Sequence, residues 1–382
     1  MLVDITGDIL LLMINEAYPT WLEIDLRAIQ NNIHQIQKIT GRAVMAIVKA
    51  NGYGHGLLQV GKAAEAAGAP WLGVARLEEA LDLRRGGVKC HILVMGYTMP
   101  ERIPEVLASK VTLTVYDHGL ASEYAAQARF FNQRLPVHIK IDSGMGRLGF
   151  FPEDGVESIR RLSAEEGLSI DGIYTQLSCS DEPDLPDTNW QIERFQGLLE
   201  GLDSVGLKPA MVHAANSAAA LYFPKARYDI VRCGIAIYGL HPSDLAPLPD
   251  GFRRALTWKS HIVSVKYLPK GYGVGYNNQY VTQNEERIGT VAVGYADGMR
   301  RRLGNYALVR GQRVNMVGGM CMDQCMIQLD KFPDAKIGDE IVFIGRQGQE
   351  EITPEELGRN WGSNNYEVVC GLATRLPRLY IR

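Results

Sequence analysis

Eight short β-branched or apolar runs, each followed by a segment with helical periodicity, constrain this fold more than any other feature of the sequence. The runs lie at 43–50, 71–75, 91–96, 111–116, 136–142, 170–176, 211–215 and 228–232. Between the first of them, helical patterns cover 57–67 and 77–84, with Gly68 and Gly86 as C-terminal stops. Eight alternating units predict an α/β architecture, a (β/α)8 TIM-type barrel. An open doubly wound sheet is the competing arrangement, but its first strand should lead into Gly-x-Gly-x-x-Gly, and residues 51–56 (NGYGHG) do not keep that order. After about Asp250 the rhythm changes to short strands with hairpin punctuation, at 260–267, 287–293, 306–309 and 340–344. That pattern predicts a C-terminal all-β domain, with the boundary in the Pro-rich stretch 242–251. The expected organisation is an N-terminal extension at 1–17, a barrel at 18–245 and a β domain at 246–382.

A chain of 382 residues exceeds what one hydrophobic core usually supports, consistent with two domains. The net charge of -3 gives no general attraction to nucleic acid or anionic lipid, so small molecules are the expected partners. Cys90, Cys179, Cys233, Cys321, Cys325 and Cys370 show neither zinc-type pairing nor the spacing of a small disulfide scaffold. They fit a reducing cytoplasm, and no structural metal is expected. The apolar run 9–14 is too short to span a bilayer and follows Asp4 and Asp8 rather than a basic segment, so it reads as a strand or short helix preceding the fold proper.

The active site of such a barrel lies at the C-terminal ends of its strands. Those ends are polar here: Lys49 on the first, Lys140 and Asp142 with Arg147 beyond on the fifth, Gln176 on the sixth, His213 with Asn216 and Ser217 on the seventh, and Arg232 on the eighth. A lysine at a strand mouth is ordinarily a snorkelling or ion-paired surface group. Lys49 instead enters a Gly-rich turn containing Tyr53, where backbone and phenol can approach a ligand closely. An amine so placed can form an imine with a carbonyl cofactor. Ser217 and the 234–235 segment can supply a hydroxyl and backbone N–H groups where barrel enzymes often hold phosphate. Imine lysine and phosphate site together point to pyridoxal 5'-phosphate.

Seven segments then appear in a family's order: 46–56 (AIVKANGYGHG), 138–149 (HIKIDSGMGRLG), 213–217 (HAANS), 231–235 (VRCGI), 293–298 (VGYADG), 320–324 (MCMDQ) and 365–368 (NYEV). With these the chain resembles the alanine racemase family, fold-type III pyridoxal-phosphate enzymes built as a barrel followed by a β domain. The resemblance spans about Tyr18 to Arg382. It implies that Lys49 holds the cofactor, that Tyr53, Ser217, Gly234, Ile235 and Tyr366 surround its phosphate, and that His213, Asn216 and Arg232 belong to its binding site. Arg232 is implied to face the pyridine nitrogen. Racemisation moves a proton from one face of Cα to the other, so two acid–base groups on opposite sides are a natural solution. The family pattern makes them Lys49 and Tyr276, the latter supplied by a second subunit in a head-to-tail homodimer. It further implies that the backbone of Met322, with Asp323 beside it, binds the substrate carboxylate, that Arg147 reaches the cofactor's phenolic oxygen and also serves the carboxylate, that Lys140 is a candidate for carbamylation, and that Asp181, Tyr295 and Arg301 line the entrance. The implied role is D-alanine supply for cell-wall peptidoglycan.

The chain departs from the pattern at two places. Gln176 stands where the family usually has a histidine packed on the cofactor ring; an amide can pack there but cannot titrate. The turn around Tyr276 reads Gly-Tyr-Asn where Ser-Tyr-Gly is common. Alternatives are a serine or broader amino-acid racemase of the same build, and a non-catalytic cofactor-binding homologue. Tyr276, Tyr295, Met322 and Asp323 argue against the second.

Overall fold

The structure is a computed structural model that describes residues 18–182 and 184–381. The expectation for the segment 1–17 lies outside the described residues. The chain divides into two compact units: one is Ala28–Arg253, and the other joins the described residues up to Arg27 with those from Arg254 onward. No helix among the described residues is long and apolar enough to cross a membrane.

A first strand, β1 (Thr20–Asp25), precedes the barrel. The barrel strands are β2 (Ala43–Ile47), β3 (Trp71–Val74), β4 (His91–Val94), β5 (Thr112–Val115), β6 (Leu135–Lys140), β7 (Leu168–Tyr174), β8 (Met211–His213) and β9 (Ile230–Cys233). These are the eight expected runs, although the first seven end sooner than their apolar pattern, because the residues at their C-terminal ends leave the ladder to form the mouth. The strands pair in parallel in the order β8-β7-β6-β5-β4-β3-β2-β9. Between β8 and β9, Asp229 N donates to Val212 O (3.0 Å) and Arg232 N to Ala215 O (2.9 Å). These bonds bridge the gap, so the sheet leaves little open edge. Strands covered on both faces should read as continuous apolar runs, and β3, β5 and β9 are buried along their whole length. The helices Leu57–Ala66 and Leu77–Arg85 form where periodicity places them. Gly68 supplies a left-handed exit from the first (φ +80), whereas Gly87 rather than Gly86 does so for the second (φ +93).

The other unit is all β apart from short helices. Its strands are β10 (Leu256–Leu268), β11 (Gly273–Val274), β12 (Tyr280–Val281), β13 (Glu286–Val291), β14 (Tyr306–Val309), β15 (Gln312–Val317), β16 (Cys325–Gln328), β17 (Glu340–Gln347), β18 (Glu350–Ile352) and β19 (Arg378–Ile381). They form a nine-stranded sheet, β18-β17-β14-β15-β16-β13-β10-β1-β19, with β11–β12 as a separate hairpin. The expected barrel limits of 18–245 therefore differ from the structural ones. β1 is a β-sheet strand of this second unit, antiparallel to β10 with Leu22 opposite Trp258 and parallel to β19 with Leu22 opposite Arg378. The cause is strand pairing across more than two hundred residues, which a local apolar pattern does not encode. Val274, Ile288 and Val317 form a small core with Leu268, Tyr280 and Met326 packed on it, beneath the hairpin that carries Tyr276.

Asn32, fully buried on the helix Leu26–Thr40, donates to Ile237 O (3.0 Å) and Arg253 O (2.7 Å) and accepts from Arg253 N (2.8 Å). Replacing it with Leu should strand these backbone groups and lower stability by about 1–3 kcal/mol in urea unfolding; an unchanged midpoint would refute that role.

Candidate active site

Beyond β2 the chain makes a strained turn. Val48 N still donates to Gly73 O (2.9 Å), but Ala50, Asn51, Gly52 and Tyr53 all adopt left-handed φ of 54°, 55°, 59° and 50°. For residues other than glycine each such position costs roughly 1–2 kcal/mol. The turn persists because its neighbours hold it. Glu79, on the helix Leu77–Arg85, accepts Ala50 N at 2.6 Å through one oxygen, and Ala75 N (2.9 Å) and Arg76 N (3.1 Å) through the other. Asn51 accepts Leu57 N (3.0 Å), and Gly56 N donates to Asn51 O (2.8 Å). Lys49 stands half-buried at the head of this turn, and Tyr53 is driven inward at its end.

Tyr53 stacks on Tyr238 with ring centroids 5.0 Å apart, and Tyr238 donates to Ile47 O (3.1 Å). The Tyr53 hydroxyl lies against Gly234, where an added Cβ would sit 2.4 Å from it, so only glycine fits. Ser217 begins the short helix Ser217–Tyr222, and its Oγ accepts Gly234 N (3.1 Å) and Ala236 N (3.4 Å). The expectation of a free N–H at Gly234 is thus corrected: that amide is already held by Ser217. The Ile235 N–H donates none of the backbone bonds among the described residues. Asn216 caps the helix by accepting Ala219 N (3.0 Å) and is held by Ser180 Oγ (2.8 Å). Lys49, Tyr53, Ser217, Gly234 and Ile235 are therefore gathered at the adjoining ends of β2 and β9.

Beside them a guanidinium is buried. Arg232 donates through Nη1 to His213 Nδ1 (3.0 Å), and through Nη2 to Thr175 O (2.8 Å), Gln176 Oε1 (3.0 Å) and Ala214 O (2.9 Å). Nε takes part in none of these. A guanidinium can only donate, so His213 accepts at Nδ1 and carries its proton on Nε2, which reaches His138 Nδ1 at 2.9 Å. His138 is then protonated on Nε2, a buried atom with no hydrogen-bond partner among the described residues. Burial, reinforced by the Arg232 charge, lowers His138 to about 3 and holds His213 well below the usual imidazole range. Both imidazoles are neutral at physiological pH. Burial also lowers Arg232 to about 10, which leaves it charged there. Tyr174 stacks on His213 at 4.7 Å and 5°, beneath both Arg232 (5.1 Å) and Lys140 (5.5 Å), and its hydroxyl meets Thr114 Oγ1 (3.0 Å).

Lys140 is 4% exposed, and its Nζ donates to Ile141 O (2.6 Å). Burial first, then the charges of Arg232 and Arg147, lower it to about 7 despite the opposing pull of Asp142. Asp142 accepts the amides of Gly144 (3.0 Å), Met145 (2.7 Å), Gly146 (3.1 Å) and Arg147 (2.8 Å). Burial would raise its carboxyl, but these four donors outweigh it and hold it below the ordinary carboxylate value. Their joint effect is a rigid loop presenting the exposed Arg147. Asp181 lies on the loop after β7, its carbonyl accepting Ser243 Oγ (2.5 Å).

The other candidates lie in the second unit. Tyr276, 63% exposed, follows Gly275, whose φ of +73° and tight approach to Gly319 O exclude a side chain. Met322 and Asp323 are exposed on the neighbouring loop; Tyr295 N and Ala296 N bond to Cys321 O (3.2 Å) and Met322 O (3.0 Å), and Arg301 Nε to Met320 O (3.2 Å). Tyr366 is on the helix Asn365–Cys370.

The sequence matches the family description "Alanine racemase, N-terminal domain" over residues 24–242 and "Alanine racemase, C-terminal domain" over 255–380. The chain belongs to the alanine racemase family. It is 43% identical over 365 residues to the alanine racemase of Symbiobacterium thermophilum, covering 95% of this chain and 97% of that one. It is 40% identical to that of Methanococcus maripaludis, covering 96% and 99%. Among solved structures, the Clostridium difficile 630 alanine racemase superposes with a TM-score of 0.90 at 36% identity, covering 95% and 96%. The Bacillus anthracis alanine racemase with bound L-Ala-P gives 0.90 at 39%, covering 95% of each chain.

Residues not singled out from sequence support this alanine racemase site. Glu79 shows in the sequence only as an acid in the first turn of a helix, and Thr114, Tyr174 and His138 as members of apolar strands; their partners come from other strands. Glu79→Ala should cost about 1–3 kcal/mol, with amide hydrogen exchange accelerated first at 50–56; unchanged exchange there would contradict the clamp. For Lys140 the sign is set by a folded value near 7 against 10.5 unfolded. The penalty on its ammonium is complete below pH 7 and fades as pH rises from 7 to 10.5. In bicarbonate-free buffer Lys140→Met should therefore gain most over the parent chain at or below pH 7, with the advantage declining above it; a pH-independent difference would count against a buried, depressed amine.

Proposed function

We propose that the protein interconverts L-alanine and D-alanine with pyridoxal 5'-phosphate bound in the barrel mouth. The observation that carries this reading is the convergence of Lys49, the Ser217–Gly234 cradle and the buried Arg232 at one end of one barrel. The residues present fit that cofactor: the Tyr53 hydroxyl lies against Gly234, the Ser217 hydroxyl holds the Gly234 N–H, and the neighbouring Ile235 N–H makes no backbone bond among the described residues. When bound, the cofactor supplies an electrophilic carbon for the substrate amine and a ring that takes up charge from Cα.

Lys49 holds the cofactor and exchanges the Cα proton on one face. Tyr276, from a second copy in a head-to-tail homodimer, exchanges it on the other. Arg232 would hold the ring nitrogen of the cofactor and, as a guanidinium, could not accept its proton, nor could either neutral histidine bonded to it in series supply one. Charge at Cα therefore stays localised, which favours reprotonation there over transamination. Gln176, bonded to Arg232, would contribute to holding the cofactor, as would His213, which is also bonded to Arg232, and Asn216. Arg147 would be the residue to hold the cofactor's phenolic oxygen. Lys140, titrating near 7, offers an uncharged amine to carbon dioxide; forming the N-carboxylate releases one proton and replaces repulsion of Arg147 by attraction. The amides of Met322 and Asp323 bind the substrate carboxylate, and Asp181, Tyr295 and Arg301 line the entrance. The role is D-alanine supply for peptidoglycan in the cytoplasm.

Visible absorbance and racemisation of the purified holoenzyme test this. Lys49→Ala should lose both. Tyr276→Phe should keep the absorbance and lose about 10²–10⁴-fold in turnover, while one enantiomer still exchanges its Cα proton in D2O. Full racemisation by Lys49→Ala would overturn the reading, and a higher kcat/KM for L-serine than L-alanine would replace the substrate.

A further inference from the structure

The loop 319–324 is secured through its carbonyls and not through its central amides. Gly294 packs so closely beneath it that a Cβ there would lie 2.1 Å from Met322 O, the oxygen that also accepts Ala296 N (3.0 Å). Arg301 holds Met320 O, and Cys321 N closes the turn onto Gln324 O (2.9 Å). The N–H groups of Met322 and Asp323, by contrast, donate no hydrogen bond among the described residues, on a loop where Met322 is 52% exposed. Two successive unengaged amides attract an anion.

Asp323 opposes that. Its carboxylate belongs to the same pair of residues and would repel a carboxylate brought to their amides. Arg375 answers the charge. Its Nη1 lies 2.8 Å from Asp323 Oδ1, while its Nε donates to Asp297 Oδ1 at 2.7 Å. Asp297 is buried and its other oxygen accepts Gly294 N (2.9 Å), so the guanidinium is anchored on the turn that also holds the Met322 carbonyl. An arginine tied at two points has a fixed direction.

We propose that Arg375 is a positioning residue of the carboxylate subsite: by holding and neutralising Asp323 it makes the Met322 and Asp323 amides a receptor for the substrate's carboxylate. This rests on the reading that those amides bind the carboxylate of alanine. Arg375 touches neither the amides nor the reacting atoms in this scheme; it acts through Asp323.

The test is a charge cycle on the cofactor-loaded enzyme: parent, Arg375→Gln, Asp323→Asn and the double variant. Two readouts are taken: kcat and KM for L-alanine, and the melting-temperature shift given by propionate, a carboxylate lacking the amine. Arg375→Gln leaves the Asp323 and Asp297 carboxylates without their cation, so KM should rise about tenfold with kcat within about threefold, and the propionate shift should shrink. Asp323→Asn removes the carboxylate nearest the amides and leaves the guanidinium paired with Asp297 alone, so KM should fall. The double variant lacks both the Asp323 carboxylate and the guanidinium, keeps only Asp297 on its Gly294 N–H, and should return KM to within about threefold of the parent. If it keeps the high KM of Arg375→Gln, Arg375 merely folds the turn and the proposal is overturned. An unchanged KM in Arg375→Gln overturns it equally. If Arg375→Gln fails to fold, Asp323→Asn decides: a raised KM refutes the proposal and a lowered one supports it. Failure of the underlying reading looks different: the parent enzyme would not racemise alanine, whatever the propionate shift.

Discussion

A guanidinium buried at the end of β9 dictates the arrangement of much of the barrel mouth. Arg232 remains charged at neutral pH, and the carbonyls of Thr175 and Ala214, the Gln176 amide and His213 surround its terminal nitrogens. Because it only donates, it fixes the tautomer of His213, and through it that of His138. Tyr174 stacks on His213, and Thr114 links its hydroxyl to Val94 O (2.9 Å). The string thus passes from β9 through β8, β7, β6 and β5 to β4. Its members are neutral except for the arginine, so one positive charge is presented without a titrating group behind it.

The turn after β2 depends on a different balance. A run of left-handed residues is unfavourable alone, and it persists because one carboxylate on the helix Leu77–Arg85 collects three amides from two strand ends. That geometry places Lys49 and Tyr53 on the rim and brings the phenol against a glycine at the end of β9. Strain and Glu79 are parts of one device: the clamp carries the cost, and the turn gains a direction for its lysine. In the second unit the same economy appears as a loop whose carbonyls are fastened and whose central amides are left open.

Much of the fold was legible in the sequence. The eight strands show because parallel strands covered on both faces must be apolar throughout, and the β domain because short strands with turn residues break that rhythm. Lys49, Arg147, Ser217 and Arg232 were legible because charged or hydroxyl side chains at the ends of apolar strands need a reason to be there. The limits of the units were not, since β1 looks like any alternating strand until β10 and β19 flank it.

By itself the sequence determined the order of elements, the family and the identity of the polar residues at the strand ends, since these depend on local periodicity and on motifs that stay contiguous. Tertiary structure alone decided which of those residues meet. Glu79 reaching Ala50, Ser217 holding Gly234, Tyr174 beneath Lys140 and Arg232, and Arg375 spanning Asp297 and Asp323 all join residues on separate strands, helices and loops. The depressed lysine and the silent histidines follow from the same cause, because desolvation and neighbouring charge exist only once the chain has closed around them.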